Sequence, residues 1–519
     1  MHSGAVSGNG TRKPGRRSLS PALCAVLLWA GSALPAAVAR AEFGLEEVAN
    51  KARELARQPF SEKERQVPEW LTKITYDQWR DIRFRPDHAL ALDPAGRFRV
   101  QFFHTGLYYH RAVAINLVDG KGVRPVQFSP SQFDYGKNTF GKRVPADLGY
   151  AGLRLHYPIN TPTYHDEVIV FVGASYFRAL GKGEVYGLSA RGIGVDTALP
   201  SPEEFPDFRE FWLVTPQPGA ASVTVYALLD GPSVTGAYRF DITPGDETTV
   251  NVACRIFLRR PVQKLGIAPL TSMFMRGENT TRVFQDFRPE IHDSDGLLLN
   301  FDGGEWLWRP LDNPTSVNAS SFLMENPRGF GLIQRDREFD HYQDLETHSE
   351  LRPSVWVSVQ GEWGRGRVEL VEIPTNREID DNVVAFWVPD ALPPSGDPLA
   401  LAYTLFWGGG EASRPPGGRV IATRRDRGTH EGAHRLVVDF AGGELSRLRE
   451  GKTPEAIVSV AGGAQAGELL EQQVVSNPAI GGWRLTCQVR PKTDRPLELR
   501  AFLRQDDHVL TETWSYVLR

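Results

Sequence analysis

Residues 355–406 read VWVSVQGEWGRGRVELVEIPTNREIDDNVVAFWVPDALPPSGDPLALAYTLF. Four short runs rich in Val, Leu, Phe, Tyr and Trp stand in this stretch: Val355 to Val359, Arg367 to Glu372, Val383 to Val388 and Leu399 to Phe406. Gly, Pro, Asn and Asp separate them, which is the pattern of β-strands joined by tight turns. The same rhythm extends upstream. Phe98 to Phe103, Val168 to Val172, Phe211 to Val214, Val223 to Leu228, Thr248 to Arg259, Leu297 to Asn300 and Gly331 to Arg335 all read as strands. More than 300 residues of this kind, with no alternating βα order, predict an all-β protein built on a large antiparallel β-sandwich. One helix is expected, over residues 44–58, where Leu45, Val48, Ala49, Ala52, Leu55 and Ala56 recur at helical spacing.

Downstream, Gly408 to Gly418 is rich in Gly and Pro and reads as a linker. It divides a large domain, 42–407, from a small one, 419–519. The small one shows strands at Arg419–Arg424, Leu436–Phe440, Ala456–Val460, Trp483–Val489, Leu497–Arg504 and Thr511–Leu518. Their number and spacing predict a small C-terminal immunoglobulin-like β-sandwich without that fold's cysteine pair. At the other end, Arg12, Lys13, Arg16 and Arg17 precede an apolar stretch from Ala22 to Val38, and Ala39-Arg40-Ala41 fits a cleavage site. Residues 1–41 are therefore expected to be a cleaved export signal, which places the mature chain outside the cytoplasm. Of three cysteines, Cys24 leaves with that signal; Cys254 and Cys487 are expected to be free and buried.

The net charge of −4 among 519 residues gives no basic surface for nucleic acid. No phosphate-binding glycine loop, dinucleotide fingerprint, G-x-S-x-G or H-E-x-x-H motif is present, so no cofactor or metal is expected. What stands out is acidic residues interleaved with aromatic ones. Phe287 to Gly296 reads FRPEIHDSDG; Asp340 to Asp344 reads DHYQD; Asp380-Asp381-Asn382 precedes a strand; Trp306 and Trp308 lie between. Carboxyl groups among aromatic rings suit the binding and protonation of a sugar chain. Each has a plainer reading. Asp293 and Asp295 fit a turn whose side chains bond the backbone. Asp380 and Asp381 fit a solvated loop. Trp306 and Trp308, on one face of a strand, fit core packing, and residues 336–350 read either as a lid or as a surface turn.

These segments, with Phe171 to Gly181 (FVGASYFRALG), Tyr186 to Gly192 (YGLSARG), Leu351-Arg352-Pro353-Ser354, Val368 to Asn376 (VELVEIPTN) and Glu512 to Tyr516 (ETWSY), make the chain resemble the glucans biosynthesis protein G and D family, periplasmic proteins of osmoregulated glucan synthesis. The resemblance implies a galactose-mutarotase-like large domain and a periplasmic protein that makes or trims β-1,2-linked glucan. Some members look like inverting endo-β-1,2-glucanases. By that pattern Asp381 is the general acid, and Asp293 is the base or its relay. Trp306, Tyr342 and Tyr176 are the expected sugar contacts. Several relatives carry Tyr just before the Leu-Arg-Pro-Ser stretch, within the proton path, where this chain has Ser349. The alternative is a non-catalytic glucan-binding partner of the inner-membrane glucan synthase; a sugar epimerase rests on fold analogy alone.

Overall fold

In the computed structural model the chain is described over residues 43–62, 67–394, 396–409, 414–448 and 452–519. The expected export signal, 1–41, and residues 410–413 of the expected linker lie outside these. Strands dominate, as the alternation of apolar residues demands. One sheet of the main sandwich runs, in spatial order, through Leu90–Ala91, Arg99–His104, Tyr150–Tyr157, Asp166–Val172, Tyr176–Ala179, Ser189–Arg191, Leu265–Ser272, Val383–Pro389, Arg365–Glu372 and Asn318–Glu325. Facing it, the second runs through Trp306–Pro310, Gly296–Asn300, Gly329–Ile333, Ser354–Gln360, Leu399–Gly408, Thr248–Leu258, Val234–Thr243, Val223–Asp230, Asp207–Val214, Ala114–Asp119 and Gly122–Pro125.

The core fills the space between these sheets. Phe171, Phe177, Phe208, Phe211 and Phe240 pack there edge-to-face and stacked, with Leu270, Ala385 and Trp407 also buried in the cluster. Burying this many rings supplies most of the driving force for closing the sandwich. The expected helix forms at Leu45–Ala56 and lays Val48, Ala49 and Ala52 on the outer side of the second sheet, against Trp212, Tyr226 and Phe257.

Beyond residue 418 the strands Arg419–Arg427, His434–Ala441, Gly482–Pro491 and Gly467–Asn477 form one sheet in that order; Glu455–Val460, Leu497–Gln505 and Thr513–Leu518 form the other. Taken in chain order, the seven fall into sheets of four and three, with the neighbour relations of a constant-type immunoglobulin sandwich. This sandwich is not hung on a free linker. Its last strand pairs in parallel with Trp306–Pro310, Leu307 opposite Thr513 and Trp308 opposite Trp514, so the three-stranded sheet continues the second sheet of the main sandwich. Arg335 crosses the junction. It forms a two-pronged ion pair with the buried Glu512 at 2.6 and 3.0 Å and donates to Val420 O. Its guanidinium lies 3.6 Å from the centre of the Trp308 ring. Residues 43–519 accordingly make one compact unit. Cys254 and Cys487 are free and buried.

Candidate active site

Asn382 brings the acidic segments together. Its buried side chain accepts from Phe274 N at 2.8 Å and donates to Phe274 O and Ile373 O, both at 2.9 Å. Phe274 in turn pairs with His292 across a short two-stranded ladder, Phe274–Arg276 with Ile291–His292. One backbone residue thus sits beside both the loop ending at Asp381 and the segment that continues into Asp293. Before Asp381, the loop closes on itself: Arg377 forks onto Asp380, and Thr375 Oγ1 donates to Asp380 at 2.8 Å. Asp380 is tied up in this way, and Asp381 is left to face outward.

Asp381 keeps 38% of its side chain accessible and lies 3.8 Å from Arg178. The protein around it removes enough water to raise its carboxyl above the ordinary range, with Arg178 and Arg191 opposing. Asp293 is buried and salt-bridged to Arg352. Its pKa is also raised, first by burial, with Arg352 pulling against it and the charge of Asp381 adding to the rise. The charge of Asp381 thus acts on Asp293, and Arg178 acts on both. Tyr176 stands at the same place. The hairpin between Asp166–Val172 and Tyr176–Ala179 turns through left-handed Gly173 and Ala174 and sets the half-buried Tyr176 ring under Arg191, 4.8 Å from its guanidinium.

The plainer reading of Asp295 holds in part: its carboxylate accepts from the backbone of Arg335 and from Asp336 N at 2.8 Å, across to another segment rather than within its own turn. The remaining predicted contacts lie elsewhere. Tyr342 is fully buried, its ring edge-on to His292 at 5.2 Å and its hydroxyl held by Gln334 Nε2 at 2.6 Å. It braces the segment that leads into Asp293 and offers no face to solvent. Trp306 stacks on Trp356 at 5.3 Å and walls a cavity of about 720 Å³ with Pro415, Phe502 and Leu510, in which neither Asp293 nor Asp381 takes part. Residues 336–350, read as either a lid or a surface turn, fold around a short helix, Phe339–Tyr342.

Sequence reasoning passed over the groups behind Asp293. His292 Nε2 lies 2.8 Å from Glu290 and 3.4 Å from Asp295, and its Nδ1 lies 3.1 Å from Gln334 Oε1. Burial alone would strip the imidazole of its proton, but Asp295, Glu290 and Glu278 outweigh it and raise the ring to about 9. Glu278 is itself raised to about 8, by burial and by Glu290 and Asp295. Glu278, Glu290, Asp295, Asp336 and His341 line a cavity of about 530 Å³ that Thr423 and Asp439 close from the immunoglobulin-like side. Glu290, His292 and Asp295, and likewise Glu290, Asp336 and His341, hold their ligand atoms within 4.8 Å of one another, sets that a divalent metal can use. The raised pKa of His292 favours a protonated imidazole among these carboxylates. Only the spacing of Glu290, His292 and Asp295 in FRPEIHDSDG signalled them.

Residues 43–518 match the family described as periplasmic glucan biosynthesis protein, MdoG. The chain belongs to that family. It is 48% identical over 496 residues to glucans biosynthesis protein G of Ralstonia nicotianae, covering 94% of this chain and 98% of the relative. A role in glucan biosynthesis follows for this chain from its membership. No helix among the described residues is long and apolar enough to cross a membrane.

Proposed function

We propose that this protein is an inverting endo-β-1,2-glucanase that trims the backbone of periplasmic glucans. The observation that supports it best is the pairing of Asp381 with Asp293. Both carboxyls have raised pKa values, one open to solvent and one buried, on loops fixed to the same residue, Phe274. An inverting hydrolase needs one carboxyl that keeps a proton for the leaving oxygen and a second, separate carboxylate that activates water on the opposite face of the sugar. Asp381 is the general acid: it is accessible to a glycosidic oxygen and, with its pKa raised, retains a proton longer than an ordinary aspartate. Asp293 is the base, taking a proton from water on the opposite face of the sugar or through an intervening hydroxyl. Tyr176, beneath Arg191, is the sugar contact at this site. The protein acts in the periplasm after loss of residues 1–41.

Inversion is directly readable. Proton NMR during digestion of linear β-1,2-glucan should show the α-anomer of the new reducing end first. Initial appearance of the β-anomer means retention and removes these roles from the two aspartates.

A second reading, a glucan-binding partner of the inner-membrane synthase, draws on one feature of the site. Arg352 engages the Asp293 carboxylate, and Ser349, three residues before it, is buried with its Oγ 3.2 Å from Thr347 Oγ1. This closed arrangement favours holding a glucan over cutting it. Glucan affinity with no released product supports this reading.

A further inference from the structure

Three loops meet at Arg288: residues 282–290, which lead into Asp293; residues 336–350; and residues 375–382, which carry Asp381. Arg288 on the first joins a carboxylate on each. Nη2 meets Asp286 at 2.9 Å, and Nη1 meets both Asp344 and Glu378 at 2.7 Å. The base of the 336–350 loop is held by other bonds, Glu290 N to His341 O at 3.0 Å and His341 Nδ1 to Asp336 at 2.5 Å. Its tip is different. Gln343 and His348, at either end, adopt left-handed conformations at φ 56° and 47°, which side chains other than glycine rarely take. Between them Asp344 caps the amides of Glu346 and Thr347 at 2.9 and 3.1 Å and reaches Arg288 with its other oxygen. Each of the three residues at the junction also adjoins an exposed apolar side chain: Phe287, Leu345 and Ile379 are 80%, 78% and 77% accessible. At this point charge, rather than buried hydrocarbon, holds the loops to one another.

We propose that Arg288 is a latch, a positioning residue that fastens the 343–348 tip and the Asp381 loop together and releases the tip to admit and discharge the glucan chain. The guanidinium suits this work because its planar fork reaches several carboxylates at once, which a lysine ammonium cannot do in fixed geometry. Its side chain and that of Asp344 are only 16% and 11% exposed, so salt screens the contact weakly. The kinetic consequence rests on the glucanase reading; the structural one does not.

Hydrogen exchange of the mature chain, residues 42–519, followed by mass spectrometry, separates the two. Arg288→Ala should speed exchange at least tenfold in peptides covering 343–348 and 375–382 and leave the sandwich core unchanged. Asp344→Asn should loosen only the first and Glu378→Gln only the second, with Arg288→Lys intermediate. On linear β-1,2-glucan, Arg288→Ala should lower kcat and raise KM together, and Arg288→Lys should recover part of both. Unchanged exchange in both loops overturns the latch, whatever the activity. Acceleration throughout the chain overturns it too, since it marks general destabilisation. If the wild type cuts no glucan while the loop-selective exchange appears, the latch stands and the glucanase reading fails alone.

Discussion

Replacing Arg335 with Met tests how the immunoglobulin-like sandwich is fastened to the rest. Arg335 and Glu512 retain 5% and 0% of their side-chain surface, so solvent does not screen the pair. Removing the guanidinium leaves Glu512 buried, its carboxylate still accepting from the Val420 amide 2.8 Å away but without its paired cation. Stranding a buried charge costs about 3–5 kcal/mol, and loss of the cation over Trp308 adds roughly 1–2 kcal/mol. The effect on melting depends on what unfolds. Unfolding entropy is about 2.1 cal/mol/K per residue, so a cooperative unit of about 480 residues loses roughly 4–7 °C. A sandwich of about 100 residues melting alone would drop by about 20 °C or more in its own transition. The continuous sheet predicts a single calorimetric transition and the smaller shift. Adding Glu512→Gln, which keeps an acceptor for Val420 N and removes the stranded charge, should restore most of the loss. A single-variant shift under about 1 °C, or a double variant no better than the single, refutes the reasoning.

Stability should fall as pH rises. Glu278 and His292 have folded pKa values raised to about 8 and about 9, so each holds a proton that the unfolded chain releases. Glu278 loses its contribution from about 4.5 to about 8, and His292 from about 6.5 to about 9. Tm should therefore decline between pH 6.5 and 9, and Glu278→Gln, which stays neutral, should flatten the curve; a flat wild-type curve contradicts the protonated network. The thiols of Cys254 and Cys487 are pushed up to about 12 by burial, so native protein should resist a thiol reagent at pH 8 and both should react once it is unfolded.

Much of the fold was legible in the sequence because a buried strand with turns at its ends writes its own pattern, as at Val383–Pro389. Strands that break the pattern were passed over. Gly467–Asn477, GELLEQQVVSN, lies at the edge of its sheet, and most of its side chains face water. Val234–Thr243 contains Gly236, where a Cβ would sit 2.9 Å from the Tyr238 ring. Asp381 and Asp293 were recognised through resemblance, since their spacing alone fits turns and loops. What brings them together, Asn382 on Phe274, spans more than 100 residues and leaves no local mark. The rings of Tyr342 and Trp306 were expected at sugar, but a sequence does not say which side of a strand or helix is already covered. Here His292 packs against the fully buried Tyr342, while Trp356 stacks on Trp306, which stays half-buried on the wall of a cavity away from Asp293 and Asp381.

Whether Asp381 is the general acid is decided by comparing residues 42–519 with the Asp381→Asn variant, each incubated with linear β-1,2-glucan and the products separated by size. The wild type should yield shorter oligosaccharides and the variant intact polymer, with glucan still bound by both in calorimetry. Equal cleavage by the two, or none by either, contradicts that role.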